Sequence, residues 1–357
     1  MKSILKVLSI VLSVVIASFI FVVSAFCAEE YPIRTKELLI RDPFVLVCEG
    51  KYYMYGTGLA SGRGYGVVVS EDLRRWSRPK NVFTAADDFD GVGCFWAPEC
   101  HYYEDAYYLF ATYLSQASGK RGVAIFRSKK PDGPFEMITD GHVTPKETDC
   151  IDGTLYVDDD GQPWIVYVNE WTSSPDGIGE MAAAKLSRDL TAMVSEPVVL
   201  FRANGHRWTD SNVTDGPYVY KSESGALLML WSNLAKTGGY AVGCARSADG
   251  RIDGIWVQQP EAVYKSDNLN QRDGGHGMLF RDSDGNLMMA IHSPNSSDRG
   301  EIENARFIPV VDTGFSIESK ETYDQRNDLS EAFRSLYLTL YNGFMTLIHQ
   351  IRVIFSF

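Results

Sequence analysis

The chain has 357 residues, 45% of them hydrophobic and 22% charged, a composition typical of a globular protein with one large domain or two smaller ones. The formal net charge is −12 and the acidic residues are spread along the chain, which argues against a nucleic-acid partner because a phosphate backbone requires a basic surface. The 19 Tyr, 18 Phe and 31 Gly favour strands joined by tight turns, so we expect an all-β protein.

Residues 1–28 have the features of a secretory signal peptide. Lys2 and Lys6 flank the start of an apolar stretch that runs to Phe26, and Cys27 and Ala28 are small residues at a suitable cleavage point. A retained membrane anchor is the alternative, because about 20 apolar residues can span a bilayer. We therefore expect a secreted or periplasmic protein, with membrane anchoring as the second interpretation.

Pairs of aromatic and apolar runs follow, each pair separated by a short turn that contains Gly. The first pair is 44–47 and 52–55, with Glu49-Gly50-Lys51 between them. The pattern returns at 155–157 with 164–167, at 218–220 with 227–231, and at 278–280 with 287–290. An acidic residue and Gly between alternating apolar runs predict a β-hairpin, and runs such as 66–70 add a third strand.

Each unit opens with a short polar motif, and the openings recur at a period near 60. They are Arg41-Asp42-Pro43-Phe44, Trp96-Ala97-Pro98-Glu99, Ile151-Asp152-Gly153-Thr154, Thr214-Asp215-Gly216-Pro217 and Gly275-His276-Gly277-Met278. Positions 42, 99, 152, 215 and 276 are separated by 57, 53, 63 and 61 residues. Four antiparallel strands repeated five times predict a five-bladed β-propeller over residues 29–314. A β-sandwich also has many short strands, but it would not explain a polar residue recurring at one position of the repeat.

The first strand of each propeller blade lines the central channel, so the five opening residues should meet there. They are Asp42, Glu99, Asp152, Asp215 and His276. A single Asp beside Gly or Pro is usually a turn residue, but the recurrence favours a shared site. Clustered carboxylates move one another's pKa values apart, which allows one to act as an acid while another acts as a base.

Antiparallel pairing returns the end of each second strand to the same rim of the channel. Flat aromatic faces together with amide, imidazole and carboxylate groups suit a sugar ring. We therefore expect substrate to be bound by Trp96, Glu99, Trp171, Trp231, Asn233 and His292.

The ordered set of openings resembles the successive blade openings of glycoside hydrolase family 43, over about residues 36–312. The resemblance implies a secreted five-bladed propeller that hydrolyses linkages in polysaccharide side chains with inversion of configuration. The expected linkages are terminal α-L-arabinofuranosyl or β-D-xylosyl bonds, or related furanosyl bonds. The expected partner is an oligo- or polysaccharide substrate, and no protein partner is implied.

The resemblance also implies roles for individual residues. Asp42 matches the family's general base, and Asp152 matches the carboxylate that tunes the pKa of the acid. Asp215 stands where the family usually has Glu as the general acid, so the acid is one methylene shorter here. Glu170, expected on the same rim, is the alternative acid. His276 matches a channel histidine that lies beside a bound calcium in many members, and no organic cofactor is expected.

Two questions remain open at this level. The alternative function is a non-catalytic carbohydrate-binding propeller that has lost its general acid, although a binder has no need for several acids and a histidine at one position of the repeat. Residues 315–357 match no part of the repeat, so the fifth blade is predicted to be incomplete or closed differently.

The five cysteines after residue 28 have no C-x-x-C spacing and support neither a disulfide framework nor a zinc site.

Overall fold

A computed structural model describes residues 30–266, 272–295 and 302–321 of the chain. The predicted signal peptide and most of the predicted C-terminal tail lie outside these ranges. Within them, no helix combines the length and the apolar character needed to cross a membrane. The five described cysteines are free thiols, and Cys100, Cys150 and Cys244 are buried.

Five four-stranded antiparallel sheets make up the fold, which confirms the predicted five-bladed β-propeller. A small sheet of β1 (Ile33–Arg34) and β5 (Arg75–Trp76), with a 3-10 helix at Thr35–Glu37, flanks the first blade. Blade 1 contains β2 (Arg41–Cys48), β3 (Lys51–Thr57), β4 (Gly64–Ser70) and β6 (Lys80–Thr84). Blade 2 contains β7 (Gly91–Tyr103), β8 (Ala106–Ser115), β9 (Arg121–Ser128) and β10 (Glu136–Met137).

The other three blades follow in chain order. Blade 3 contains β11 (Cys150–Val157), β12 (Pro163–Asn169), β13 (Glu180–Lys185) and β14 (Val198–Arg202). Blade 4 contains β15 (Asp215–Lys221), β16 (Leu227–Leu234), β17 (Tyr240–Ser247) and β18 (Trp256–Gln258). Blade 5 contains β19 (Gly275–Arg281), β20 (Leu287–Ser293), β21 (Asn304–Asp312) and β22 (Ile317–Ser319), so the predicted boundary at residue 314 falls inside this blade.

The first strand of every blade lies at the inner edge of its sheet. Strands β2, β7, β11, β15 and β19 contact one another in a closed ring, as expected for strands around a central channel. Buried hydrophobic clusters fill the seams between neighbouring blades, and most of the aromatic residues lie in them. The seams hold the inner strands rigidly, so residues far apart in sequence meet at the channel.

A β-bulge interrupts each inner strand at the same place. The pairing with the second strand skips two residues, and the first skipped residue has a positive φ in every blade. These residues are Asp42 (φ 52°), Ala97 (φ 42°), Asp152 (φ 55°), Gly216 (φ 51°) and His276 (φ 56°). Positive φ is uncommon for residues other than Gly, and bulges of this kind redirect side chains beside functional sites.

This common position corrects the alignment derived from the sequence. Asp42, Asp152 and His276 share one position of the repeat, as predicted, and that position is the bulge, but blades 2 and 4 place Ala97 and Gly216 there. Glu99 lies two residues beyond its bulge and Asp215 one residue before its own. The sequence alignment chose the polar residue nearest to the repeat spacing, and that choice was wrong in these two blades because backbone geometry, not polarity, defines the equivalent position.

None of the described strands is shared between the first and last blades of the propeller. The four strands of blade 5 all lie between Gly275 and Ser319, so the ring is joined by side chains and loops between blades 5 and 1. Arg41 forms an ion pair with Glu303 at 2.6 Å and donates to Asn295 Oδ1 at 3.1 Å. The backbone N–H of Ile40 donates to the carbonyl of Glu303. Asp42, next to Arg41, therefore lies at the closure of the ring.

Candidate active site

Two of the predicted acids and the predicted histidine meet at the mouth of the central channel. His276 Nδ1 lies 3.2 Å from Asp42 Oδ1 and 3.9 Å from Asp152 Oδ2. All three side chains are about nine-tenths buried, with exposed fractions of 8%, 12% and 6%. A histidine between two buried carboxylates allows the charges to offset one another where water cannot screen them.

Two hydrogen bonds hold Asp42 in place. The Thr57 hydroxyl donates to Asp42 Oδ2 at 2.7 Å, and the backbone N–H of Asp42 donates to His292 Nδ1 at 3.2 Å. Because His292 Nδ1 accepts this bond, the ring proton lies on Nε2, which donates to Asn295 Oδ1 at 2.9 Å. These contacts fix the carboxylate of Asp42 in one orientation.

The neighbours of Asp42 keep it ionised. Burial alone would raise its pKa, but the charges of His276 and Arg41, with the Thr57 hydrogen bond, lower the pKa below its ordinary value. Burial would lower the pKa of His276, but the surrounding acids, Asp42 first, raise it. The pKa of His292 changes in the other direction, because burial lowers it to about 4 and keeps the ring neutral. Asp42 is thus a carboxylate at neutral pH.

For Asp215, the effects that raise the pKa outweigh those that lower it. Burial and the nearby charge of Asp152 raise its pKa to about 7, against the lowering effects of His276 and of a hydrogen bond from Tyr240. The Tyr240 hydroxyl donates to Asp215 Oδ2 at 2.9 Å. Asp215 therefore carries its proton over much of the pH range in which Asp42 is ionised.

Asp152 connects the two other aspartates. Its Oδ2 accepts the backbone N–H of Gly216 at 2.9 Å, and its own N–H donates to Thr112 Oγ1 at 3.1 Å. Burial is the largest cause that raises its pKa, to about 6, with His276 opposing and Asp42 adding to the shift. The Gly216 contact requires glycine, because a Cβ there would lie 2.8 Å from the His276 ring. The backbone of the Asp215-Gly216 pair is thereby fixed against Asp152.

An ionised carboxylate and a protonated one at the same channel mouth are the two groups that hydrolysis of a glycosidic bond requires. The profile of glycosyl hydrolases family 43 matches residues 32–308. The chain belongs to this family.

Relatives of this family-43 chain include enzymes named for arabinan and for xylan. The structure of an endo-arabinase from Bacteroides thetaiotaomicron VPI-5482 is 39% identical, with a TM-score of 0.70, over 79% of this chain and 97% of that one. The structure of an endo-1,4-beta-xylanase from the same organism is 26% identical, with a TM-score of 0.66, over 79% of this chain and 94% of that one. An extracellular endo-alpha-(1->5)-L-arabinanase 1 from Bacillus subtilis (strain 168) is 27% identical over 143 residues, which cover 38% of this chain and 44% of that protein.

In this family-43 chain, the alternative acid Glu170 lies in a separate ion-pair cluster. Glu170 Oε2 accepts from Arg121 Nε at 2.8 Å, and Arg121 also lies 3.4 Å from Asp149. Burial raises the pKa of Glu170, and Arg121 opposes that shift. The Arg121 guanidinium lies 5.8 Å from the centre of the Trp96 ring, which is 37% exposed. Trp96 and Glu170 therefore meet around Arg121, whereas Asp215 belongs to the aspartate cluster.

Two predicted substrate-binding residues are buried away from the channel. Trp231 is fully buried, with its ring 4.9 Å from that of Trp208 and its Nε1 donating to Gln258 Oε1. Asn233 is also fully buried, and its Nδ2 donates to the carbonyls of Ala203 and Ser211. The prediction for these two side chains was wrong.

The reason lies in the alternation of side chains along a strand. Ser232, between Trp231 and Asn233, faces the channel, where its Oγ accepts the backbone N–H of His276 at 2.8 Å. Its neighbours must then point to the other face of the sheet, against the long loop between β14 and β15.

The remaining predicted residues are in varied surroundings. Glu99 is buried, and its Oε2 lies 3.1 Å from Nε2 of His101, deeper in the channel. His292 belongs to the aspartate cluster, where its Nδ1 accepts the backbone N–H of Asp42. Trp171 is half-buried in the turn after β12. A sugar could stack on Trp96 or Trp171 without displacing the core.

Four supporting residues were missed: Thr57, Thr112, Ser232 and Tyr240. Three of them share a signal in the sequence, since each hydroxyl residue pairs with the residue just before a bulge. Thr57 accepts the N–H of Ala97, Thr112 that of Asp152, and Ser232 that of His276. Hydroxyl residues at a nearly constant spacing after three of the five openings could have identified these hydrogen bonds. Tyr240 begins a third strand and carries no such signal.

Calcium remains a prediction. Among the described residues, no group of three or more His, Cys, Asp and Glu side chains is arranged to hold a metal ion. His276 directs Nδ1 at Asp42, and its ring packs against Gly216. Calcium prefers six to eight oxygen ligands, which these side chains do not supply by themselves. No step below depends on the ion.

Proposed function

We propose that the protein is an inverting glycosidase that hydrolyses α-L-arabinofuranosyl linkages in 1,5-linked arabinan. The observation that carries the proposal is the pairing of an ionised Asp42 with a protonated Asp215 at one channel mouth. The 39% identity to an endo-arabinase favours arabinan over xylan, and internal cleavage over the terminal release expected from the sequence.

In the proposed reaction, Asp42 acts as the general base and removes a proton from the attacking water. Asp215 acts as the general acid and gives its proton to the leaving glycosidic oxygen. Asp152 keeps the pKa of Asp215 high through its charge and positions the backbone of Gly216. One displacement by water on the face opposite to the leaving group inverts the anomeric centre.

The exposed Trp96 ring, with Arg121 beside it, supports a sugar-binding surface next to the acids. Trp96 precedes Ala97, whose N–H donates to the same Thr57 hydroxyl that binds Asp42. A sugar stacked on Trp96 would therefore lie close to the proposed base. Export of the protein, expected from residues 1–28, is consistent with a polymeric substrate and with the extracellular Bacillus relative.

The test is hydrolysis by the purified protein of linear 1,5-arabinan, arabinoxylan, 4-nitrophenyl α-L-arabinofuranoside and 4-nitrophenyl β-D-xyloside. We expect oligosaccharides from arabinan, with the inverted anomer seen first by proton NMR, and no turnover by Asp42→Asn. Arabinose as the sole product would indicate terminal release instead. Binding of arabinan without hydrolysis of any substrate would contradict the proposal and support the carbohydrate-binding alternative.

A further inference from the structure

A second cavity opens between blades 1 and 2, apart from the aspartate cluster. Its volume is about 660 Å³, enough for several sugar units. Its wall includes Phe83, Phe89, Tyr113, Asp88, Asp140 and His142. None of these residues contributes to the acid–base arrangement, so the cavity requires an explanation of its own.

Among the residues that the structure describes, two buried polar atoms in the wall have no hydrogen-bond partner: the Tyr113 hydroxyl and His142 Nε2. The Tyr113 side chain is fully buried and that of His142 is 95% buried, since its exposed fraction is 5%. Their rings lie against each other, with centroids 4.3 Å apart. Buried polar atoms are nearly always paired in proteins, because leaving one unpaired costs free energy. Two such atoms on rings in contact with each other at a cavity point to a site that can bind a hydrogen-bonding group.

The chemistry of the wall indicates what kind of ligand would fit. Phe89 is half-buried and offers part of an aromatic face. Burial lowers the pKa of His142 to about 4, so its ring is neutral and one ring nitrogen is an acceptor. The carboxylates of Asp88, Asp90 and Asp140 outnumber the single ammonium of Lys146 in the wall. Carboxylates accept hydrogen bonds from hydroxyls and repel anions, so the wall suits a neutral sugar and disfavours an acidic polysaccharide.

The position of the cavity relates it to the candidate active site. Thr112 on β8 supports Asp152, and Tyr113, the next residue, lines the cavity on the opposite face of the same strand. On β7, Phe95 stacks with Tyr113 at 6.4 Å and directly precedes the exposed Trp96. One polymer chain lying across this face of the propeller could contact both places.

We propose that this cavity is a second carbohydrate-binding site, which holds neutral pentose units of the polymer at a distance from the reacting bond. Sugar hydroxyls would pair with the Tyr113 hydroxyl and His142 Nε2, and a sugar ring would pack on Phe89. Because both polar atoms are sealed from solvent, binding includes a small displacement of the loop at Gly141, where an added Cβ would lie 3.8 Å from the Tyr113 hydroxyl. The choice of a pentose polymer rests on the proposed function, but the existence of the site does not.

The experiment is calorimetric titration with α-1,5-arabinotetraose and with xylotetraose, in an Asp42→Asn background so that neither is hydrolysed. We expect two binding sites for at least one probe. Adding Tyr113→Phe should weaken one site about tenfold, the effect of one lost hydrogen bond, and leave the other unchanged. Asp140→Asn should weaken the same site. Because Asp140 is exposed, this substitution should not disturb folding, so a matching loss of binding would show that the effect of Tyr113→Phe is not a folding defect.

Tyr167→Phe is the matched control. Within the described part of the chain the Tyr167 hydroxyl is also buried without a partner, but it lies in the hydrophobic cluster between blades 2 and 3, and Tyr167 does not line the cavity. This variant should leave both binding sites unchanged. A Tyr113-dependent site in a protein that hydrolyses no substrate would uphold the second site while overturning the proposed function. A single site unaffected by Tyr113→Phe would overturn the second site.

Discussion

Asp42 and Asp215 are identical side chains that the fold surrounds with different neighbours. Asp42 lies beside His276 and Arg41 and accepts the Thr57 hydroxyl, so its ionised form is favoured. Asp215 lies near Asp152 and receives a single hydrogen bond, from Tyr240, so burial dominates and its pKa rises to about 7. The two roles follow from the environment of each carboxyl group, and they remain assignable although Asp215 is shorter than the usual Glu.

The identity of the acid can be tested through the leaving group. Asp215→Asn should slow arabinan hydrolysis by roughly 10²–10⁴-fold, because the alkoxide leaving group requires a proton. Nitrophenolate leaves without one, so 4-nitrophenyl α-L-arabinofuranoside should lose far less rate. Steady-state kcat/KM values on both substrates provide the measurement. Glu170→Gln is the matched comparison, and a larger loss on arabinan in that variant than in Asp215→Asn would assign the acid to Glu170.

Tyr240 should set the upper limit of the active pH range. Its hydroxyl stabilises the ionised form of Asp215, so Tyr240→Phe should raise the pKa of Asp215 and keep the acid protonated to higher pH. The basic limb of the kcat/KM profile should then move upward by roughly one pH unit. Phe retains the ring, which stacks with His292 at 5.5 Å.

Tyr218→Phe serves as the control for this shift. Its hydroxyl donates to the carbonyl of Leu279 rather than to an acid of the cluster, so the limb should not move. A Tyr240→Phe profile that coincides with wild type would show that Tyr240 does not tune the acid.

At the scale of the strand, the bulges of the inner ring do two things at once. Each one turns a backbone N–H toward a neighbouring blade, and in three blades the bulge also places a polar side chain, Asp42, Asp152 or His276, at the channel. Thr57 shows the coupling, because its hydroxyl accepts the N–H of Ala97 in blade 2 and donates to Asp42 in blade 1. The same contact that joins two blades therefore also holds the proposed base.

Thr57→Val should accordingly change stability and catalysis together. The Ala97 N–H loses its partner, which should lower the free energy of unfolding by about 1–3 kcal/mol. The pKa of Asp42 should rise toward its unfolded value, moving the acidic limb of the pH–rate profile upward. Because a depressed Asp pKa stabilises the fold only above that pKa, the stability difference from wild type should shrink as the pH falls through it.

Chemical denaturation at several pH values, with kinetics on the same samples, measures both effects of Thr57→Val. Thr57→Ser keeps the hydroxyl and should behave nearly as wild type. If Thr57→Val changed only the free energy of unfolding, or only the acidic limb of the pH–rate profile, stability and catalysis would not depend on the same contact.

The sequence was sufficient for the hairpins but not for the positions of the bulges. Turns such as Glu49-Gly50-Lys51 between apolar runs identify four hairpins locally, and the five openings at a regular spacing specify the propeller. A bulge inserts an unpaired residue without changing composition, so the polarity of the openings did not mark Ala97 and Gly216 as equivalents of Asp42. The same strand register decides on which face of the sheet Trp231 and Asn233 lie, because a shift of one residue moves every side chain of a strand to the opposite face.

At the scale of the whole molecule, the candidate active site lies where the ring closes. Asp42 belongs to blade 1, whereas His276 and His292 belong to blade 5. Tyr52 of blade 1 also contacts blade 5, through a bond from the Ser283 N–H at 2.7 Å and its ring against Phe280. Since no strand in the described ranges is shared across this seam, the geometry around the base depends on side-chain contacts between the two ends of the propeller.

Loosening this seam should therefore affect activity more than loosening another one. Arg41→Met removes the ion pair with Glu303, whose side chain is only 11% exposed, and should lower the free energy of unfolding by about 1–2 kcal/mol. Hydrogen exchange should accelerate first in β2, β20 and β21, and kcat/KM should fall because the position of Asp42 relative to His292 becomes less fixed. Lys80→Met is the control, since it removes an exposed ion pair with Asp132 between blades 1 and 2 and should change stability by less than about 1 kcal/mol. Uniform acceleration of exchange in all five blades of Arg41→Met would instead show that the ring opens as a single cooperative unit, with no weaker point at the closure.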